Sequence, residues 1–404
     1  MEKKLNKRYA SSHFFYFTLF ATMFAFASVF LLEKGFDNTT IGLTLSLMSI
    51  ATIALQTGIA DYLDKNKEST LQHTISFILL LIILGSLALF YLNNTMLIML
   101  VVVLIFSLTQ STMPLLNSMA FLYTDFGIRI NYGFARGMGS LSYALITVIL
   151  GFVLEWTGAS YLPLFYLLFA FLSLISVRSF ELPADYRLEQ EATRDYSEPR
   201  KEWVESDKNM LEFAKSYQRL FIMMLGVVAL FFGHVFINNF FIQVITPIGG
   251  TSRTMGIAIF IGTILELPAM LNFDRLAKRI PVHQLLKIAA VFFLGKHLFT
   301  FLAPNLWVIY FAQALQIGAF SIAYPALVEY TQSAVAQEDL VKGQSLLASA
   351  IALSNILSSF SGGILLDKFG VSVTLFIAVL LTLLGLVIVF ITVEDQREAS
   401  VHHV

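Results

Sequence analysis

The chain has 404 residues, of which 57% are hydrophobic and 13% charged, with a mean hydropathy of +0.75 and a net charge of −1. A soluble domain carries about 25% charged residues, so most of this surface faces something other than water, and the balanced charge offers no field for nucleic acid. Cysteine is absent, which excludes disulfides, thiol catalysis and cysteine-ligated metals.

In chain order, the basic start (Lys3, Lys4, Lys7, Arg8) runs straight into an apolar stretch from Phe14 to Leu32. That stretch exceeds the ~7–15 residues of a signal-peptide core, so it is expected to be a first span. About 20 apolar residues cross a bilayer as helix. Such segments are predicted near residues 9–32, 39–60, 71–92, 96–122, 130–154 and 160–179. A polar stretch follows, rich in acids from Glu181 to Glu202, with an amphipathic helix expected around Lys208–Arg219. Six more segments are predicted near 220–245, 253–273, 283–302, 305–330, 341–365 and 370–393. The expectation is an all-α membrane protein of twelve transmembrane helices. It divides into an N-terminal six-helix bundle (1–180), a linker (181–218) and a C-terminal six-helix bundle (219–404).

Lysine and arginine are placed unevenly. Twenty-one fall on the side of the two termini and the linker, against Lys34, Arg253 and Lys368 on the other side. Positive charge is retained inside, so a multi-pass cell-membrane protein with both termini cytoplasmic is expected.

The halves also repeat. Gly151-Phe-Val-Leu-Glu155-Trp-Thr-Gly158 matches Gly363-Ile-Leu-Leu-Asp367-Lys-Phe-Gly370 at an offset of 212, Asp61…Lys65 matches Asp274…Lys278 at 213, and Pro114 matches Pro325 at 211. Three matches at nearly one offset predict two pseudo-symmetric bundles of like topology, the architecture of the major facilitator superfamily. The segment Gly58-Ile-Ala-Asp61-Tyr-Leu-Asp64-Lys65 resembles that superfamily's loop motif, linked there to conformational change. The usual arginine-glycine-arginine run is replaced by Lys65-Asn66-Lys67-Glu68. A solvated turn carrying topology signals is the plainer reading of Gly58, Asp61 and Lys65.

An ionisable group inside a span costs at least ~2.5–3.5 kcal/mol, so it is expected to face a partner or a cavity. Arg136, His234, Glu266 and Lys296 stand out, with His297 beside the last. Glu266 lies ~8 residues, or about 12 Å of helix, from Asp274 at the helix end. Proton coupling needs a buried carboxylate and a movable cation, which Glu266 with Lys296 or His297 would supply. A static Glu266–Lys296 pair that only fixes packing is the alternative. Among neutral polar residues, Asn117, His234, Asn238, Asn239, Gln243, Gln313, Gln316 and Asn355 are candidates to line a central cavity, or else to join helices by hydrogen bonds.

The element Tyr132-Gly-Phe-Ala-Arg136-Gly-Met-Gly139-Ser140 resembles the group containing lactose permease and the 3-phenylpropionate transporter. Supporting matches are Leu32-Glu-Lys-Gly-Phe with Ile41-Gly42, Gly262…Glu266, Ala303-Pro304 and Gln313-Ala-Leu-Gln316-Ile-Gly-Ala-Phe320. The resemblance implies that Arg136 contacts substrate, that Tyr143 stacks on a sugar ring, and that Glu266 and Lys296 serve proton coupling. Asn117 stands where the group has an acid paired with this arginine, leaving Arg136 open to an acceptor-rich or anionic solute. Gln316 stands at the usual histidine and Ala319 at the coupling glutamate of lactose permease, so coupling falls to Glu266.

The expected function is proton-coupled symport of a small polar solute, a sugar or related metabolite, by a monomer whose partners are solute, protons and lipid. No cofactor, metal or nucleic acid is expected. A proton-driven drug or metabolite exporter of the same fold is the alternative. A membrane sensor would need a signalling domain, and an intramembrane enzyme would need a His-Glu-x-x-His or serine-glycine motif in the spans; the sequence has neither.

Overall fold

A computed structural model describes residues 2–66, 70–123, 128–181 and 208–395. Every regular element named below is helical, as apolar segments in lipid require, because each must satisfy its own backbone groups. Helix α1 (Glu2–Phe24) bends by 45° and continues as Ala27–Glu33. Then come α2 (Asn38–Lys65), α3 (Leu71–Tyr91), α4 (Thr95–Ser118), α5 (Tyr132–Thr157) and α6 (Leu162–Ser179). The later helices are α7 (Gln218–Asn239), α8 (Ser252–Leu271), α9 (Val282–Phe301) and α10, which runs as Leu306–Ala314, a 3₁₀ turn and Phe320–Ala334. The last helical stretch, Leu340–Thr392, has 53 residues. At 1.5 Å per residue it is about 80 Å long, far more than the ~30 Å of hydrocarbon. It breaks at Gly370, whose φ of 76° and ψ of 179° are non-helical, giving α11 (340–369) and α12 (371–392). Among the described residues, twelve spans result.

Met1–Phe36 with Leu47–Lys201 form one compact unit, and Asp37–Ser46 with Glu202–Val404 form a second. Helix α2 therefore begins in the second unit and continues in the first. The repeat is visible in the backbone. Among the described residues, the four glycines with positive φ are Gly35 (83°), Gly158 (78°), Gly249 (82°) and Gly370 (76°). Gly158 and Gly370 are the matched positions read from sequence, and each ends one helix and turns the chain into the next. An L side chain is disfavoured in that conformation.

Helix starts follow local chemistry. Thr70, Asn94, Asn131 and Asn305 each accept a backbone N–H two or three residues on, capping α3, α4, α5 and α10. Glu33 accepts from the N–H groups of Ala159 and Ser160 ahead of α6. Asp367 accepts from the N–H groups of Asn38 and Thr39 at the start of α2, and also from the Thr39 hydroxyl at 2.6 Å. A carboxylate placed there meets the positive end of the helix dipole.

The amphipathic helix expected near Lys208–Arg219 is present as Met210–Ser216, with Asn209 and Glu212 forming a capping box. Beside it, Lys208 donates to the buried Asp339 at 2.7 Å, and Tyr217 donates to the same carboxylate at 2.9 Å. The Asp339 hydrogen bond holds the Lys208 ammonium above the usual lysine range. Apart from Glu181, the other acids of the predicted linker, together with Lys67, Glu68 and Arg397, lie outside the described residues.

Candidate functional site

In the first unit, α5 offers Arg136 and Tyr143 two turns apart, toward the aromatic ladder Phe17, Phe20 and Phe24 of α1. These three share a helical face at i, i+3 and i+7. The Arg136 guanidinium lies 4.4 Å from the Phe17 ring centroid and donates to Ser140 Oγ at 3.0 Å. Such a stack satisfies a partly buried cation without neutralising it. Tyr143 sits 6.5 Å from Phe20, which stacks on Phe24 at 4.2 Å. Gly139 makes the approach possible, since a methyl there would overlap the Phe17 ring. Asn117, on α4, has a buried side-chain oxygen with no hydrogen-bond partner. His13 of α1 is fully buried, and neither of its ring nitrogens has a partner. An unmet buried polar atom costs about 1–3 kcal/mol, so these atoms require an explanation.

In the second unit, three residues from three helices form one chain. Lys296 of α9, with no exposed surface, donates to Gln316 Oε1 at 2.6 Å. Gln316 Nε2 in turn donates to Glu266 Oε1 of α8, also at 2.6 Å. An amide is suited to this place because it accepts with one end and donates with the other. Gln316 reaches both neighbours because α10 is interrupted there. Residues Leu315–Ile317 form a 3₁₀ turn, and Gly318 lies so close to the Phe292 ring that a methyl would overlap it. Glu266 is half-buried, two residues before Pro268 within α8. Gln313 is buried nearby, its oxygen beside Gly262 of α8.

The remaining expected residues are placed differently. His297 turns away from Glu266: its Nδ1 is 2.7 Å from Thr382 Oγ1 of α12, and its ring lies over Gly233 of α7. Successive residues on a helix point about 100° apart, which separates it from Lys296. His234 stacks on Phe320 at 5.2 Å, with its Nε2 3.1 Å from Asn238. Asn239 donates to Ser359 Oγ at 2.8 Å, Gln243 donates to Asn38 Oδ1 at 3.1 Å, and Asn355 donates to its own helix at Ile351 O. Lys65 pairs with Asp61 at 2.7 Å along the exposed end of α2, and Gly58 has no neighbour within 4 Å of a would-be methyl. Among the described residues, no three His, Asp or Glu side chains converge as a metal site.

Phe17, Phe20 and His13 were not legible as neighbours of the Arg136 element. They sit in a run crowded with aromatics, where one more ring carries no signal; their spacing relative to Arg136 was the only clue, and it needs the α1–α5 pairing to be read.

Among the described residues, twelve apolar helices in two units hold ionisable side chains inside the spans, and with the family match below this is a multi-pass membrane transporter rather than an enzyme. Residues 7–394 match the MFS_1 like family, and the chain belongs to it, within the major facilitator fold. It is similar to the maltose permease of Geobacillus stearothermophilus, 25% identical over 400 residues and covering 96% of this chain and 94% of the relative. Among solved structures it resembles the nucleoside transporter NupG (TM-score 0.75, 12% identity, 96% of this chain and 98% of that one). It also resembles a D-xylose-proton symporter (TM-score 0.67, 14% identity, 98% of each chain). At these identities the structural likeness concerns the fold alone.

Proposed function

We propose that this protein is a proton-coupled symporter that imports a small hydroxylated solute, maltose or a related glucoside, across the cell membrane by alternating access. The observation that carries the reading is the Lys296–Gln316–Glu266 chain. A carboxylate inside a span is costly unless it has a role or a partner, and here its partner is reached through one hinge-like amide. Protonating Glu266 removes the negative end of the chain and leaves the buried ammonium without its counter-charge. Proton binding at Glu266 therefore favours a rearrangement of α8, α9 and α10 around Gln316, which is how a proton biases a two-state carrier.

The solute half of the reading is supported by the first unit. Arg136 supplies donors, and Tyr143 with Phe20 supplies ring faces of the kind that cover the apolar side of a pyranose. The resemblance of this element to the lactose permease and 3-phenylpropionate transporter group, and the similarity to a maltose permease along nearly the whole chain, support a sugar. Asn238, Asn239, Gln313 and His234 serve as further polar contacts, and the Gly58–Asp61–Lys65 segment as part of the conformational cycle. The working unit is a monomer with both termini in the cytoplasm.

The test is uptake of labelled maltose by cells expressing the protein, with and without a protonophore. Accumulation that collapses with the protonophore is the expected result; accumulation that rises with it would identify an exporter instead. Glu266→Gln is expected to abolish concentrative uptake while leaving counterflow exchange, and full accumulation by that variant would remove Glu266 from coupling.

A further inference from the structure

We propose that His13 is a solute-recognition residue of the first unit, its two ring nitrogens meeting hydroxyl groups of the solute beside Arg136. The proposal rests on the reading of the solute as hydroxylated. Three observations carry it. First, His13 has no exposed surface, and both Nδ1 and Nε2 lack a hydrogen-bond partner. A phenylalanine would fill the same place in this aromatic helix without burying two polar atoms, so packing alone does not account for an imidazole.

Second, the ring is adjacent to the candidate site. Phe17 carries both residues: His13 stacks on it at 6.0 Å, and the Arg136 guanidinium lies 4.4 Å from its centroid. The cover over His13 is aromatic, with Tyr9 edge-on at 4.6 Å and Tyr132 edge-on at 6.0 Å. Tyr132 is the exposed member of that cover at 39%, and it is the first residue of α5, one turn before Arg136. On this proposal, solute entry displaces that ring.

Third, the donor and acceptor inventory selects the ligand chemistry. Arg136 only donates; a neutral imidazole donates once and accepts once; and the unpartnered side-chain oxygen of Asn117, whose backbone carbonyl accepts from the hydroxyl of Tyr9 beside His13, only accepts. A carboxylate or phosphate would satisfy the donors and leave both acceptors facing negative charge. Hydroxyl groups donate and accept at once, so two or three on one solute satisfy the whole set.

The experiment uses the full-length protein and labelled maltose as the probe, with His13→Phe and His13→Gln made in parallel. His13→Phe keeps the ring and removes both nitrogens, whereas His13→Gln keeps one donor and one acceptor. The expected result is a KM for maltose raised roughly tenfold or more in His13→Phe, the cost of leaving a solute hydroxyl unpaired. His13→Gln should recover most of that loss, and melting temperatures in detergent should match the parent. Deoxy-maltose analogues lacking single hydroxyls give the decisive readout. At least one analogue that the parent discriminates against should be taken up by His13→Phe as well as maltose is, a change that loss of packing would not produce. Unchanged KM and unchanged discrimination in His13→Phe would overturn the proposal while leaving the transport reading intact. If His13→Phe does not fold, discrimination by His13→Gln decides: a changed preference among the deoxy analogues supports the contact, and an unchanged one overturns it. A parent protein that neither takes up nor is thermally stabilised by maltose or other sugars would overturn the reading beneath it, and this proposal with it.

Discussion

Gln316 holds together two charges that sequence could identify but could not connect. Glu266 and Lys296 were legible because a charge within an apolar run costs several kcal/mol and so needs a reason. The amide between them was not, since its reach depends on the 3₁₀ turn at Leu315–Ile317, and hydropathy registers composition, not backbone geometry. Among the described residues, Gln316 Oε1 is the acceptor that the buried Lys296 ammonium finds. Gln316→Ala removes it and leaves a buried ammonium donor unmet, a change that costs about 1–3 kcal/mol. The expected outcome is a strongly lowered melting temperature in detergent. Adding Lys296→Met to Gln316→Ala should restore much of that stability without restoring concentrative uptake. A melting temperature for Gln316→Ala within a degree of the parent would show that Lys296 draws its compensation elsewhere. His297 makes the complementary point: it was adjacent in sequence and equally ionisable, yet one residue of helix rotation assigns it to Thr382.

Among the elements, the glycines that look alike in sequence have unlike jobs. Gly158 and Gly370 hold φ near 78° and 76° with extended ψ, a region that essentially only glycine occupies, at a cost of order 1–3 kcal/mol for another residue. Gly58 lies within α2 with open space around it, where alanine is favoured by up to about 1 kcal/mol. Gly370→Ala and Gly158→Ala are therefore expected to lower the melting temperature, and Gly58→Ala to hold or raise it. Scanning fluorimetry on purified protein checks all three, and a destabilised Gly58→Ala would show that α2 is packed there by something other than the described neighbours. The offset of 212 between the halves made Gly158 and Gly370 readable from sequence as matched positions. The 45° bend in α1 was not readable, because neither proline nor glycine marks it; nor was the start of α2 within the second unit, which depends on Gly42 and Gly363 letting two backbones touch.

For the whole molecule, the charge asymmetry makes a claim that labelling can decide. Twenty-one lysines and arginines on one side against three on the other is a strong bias for short connections. It predicts that Asn66, just after α2, faces the cytoplasm and that Asn93, between α3 and α4, faces outward. Helix α3, with 21 residues, rises about 32 Å between them, enough to separate the two by the full hydrocarbon thickness. The most exposed Trp and Tyr side chains mark helix ends: Tyr91, Trp156 and Trp307 are 84%, 86% and 80% exposed, as amphipathic rings at either interface are. Because the chain has no cysteine, single replacements label without background, and both asparagines are exposed. Asn93→Cys should react with a membrane-impermeant maleimide on intact cells, whereas Asn66→Cys should react only after permeabilisation. The reverse pattern would place both termini outside. An uptake carrier would then present its Lys208–Asp339 anchor to the exterior, and the uneven placement of its lysines and arginines would oppose its own insertion.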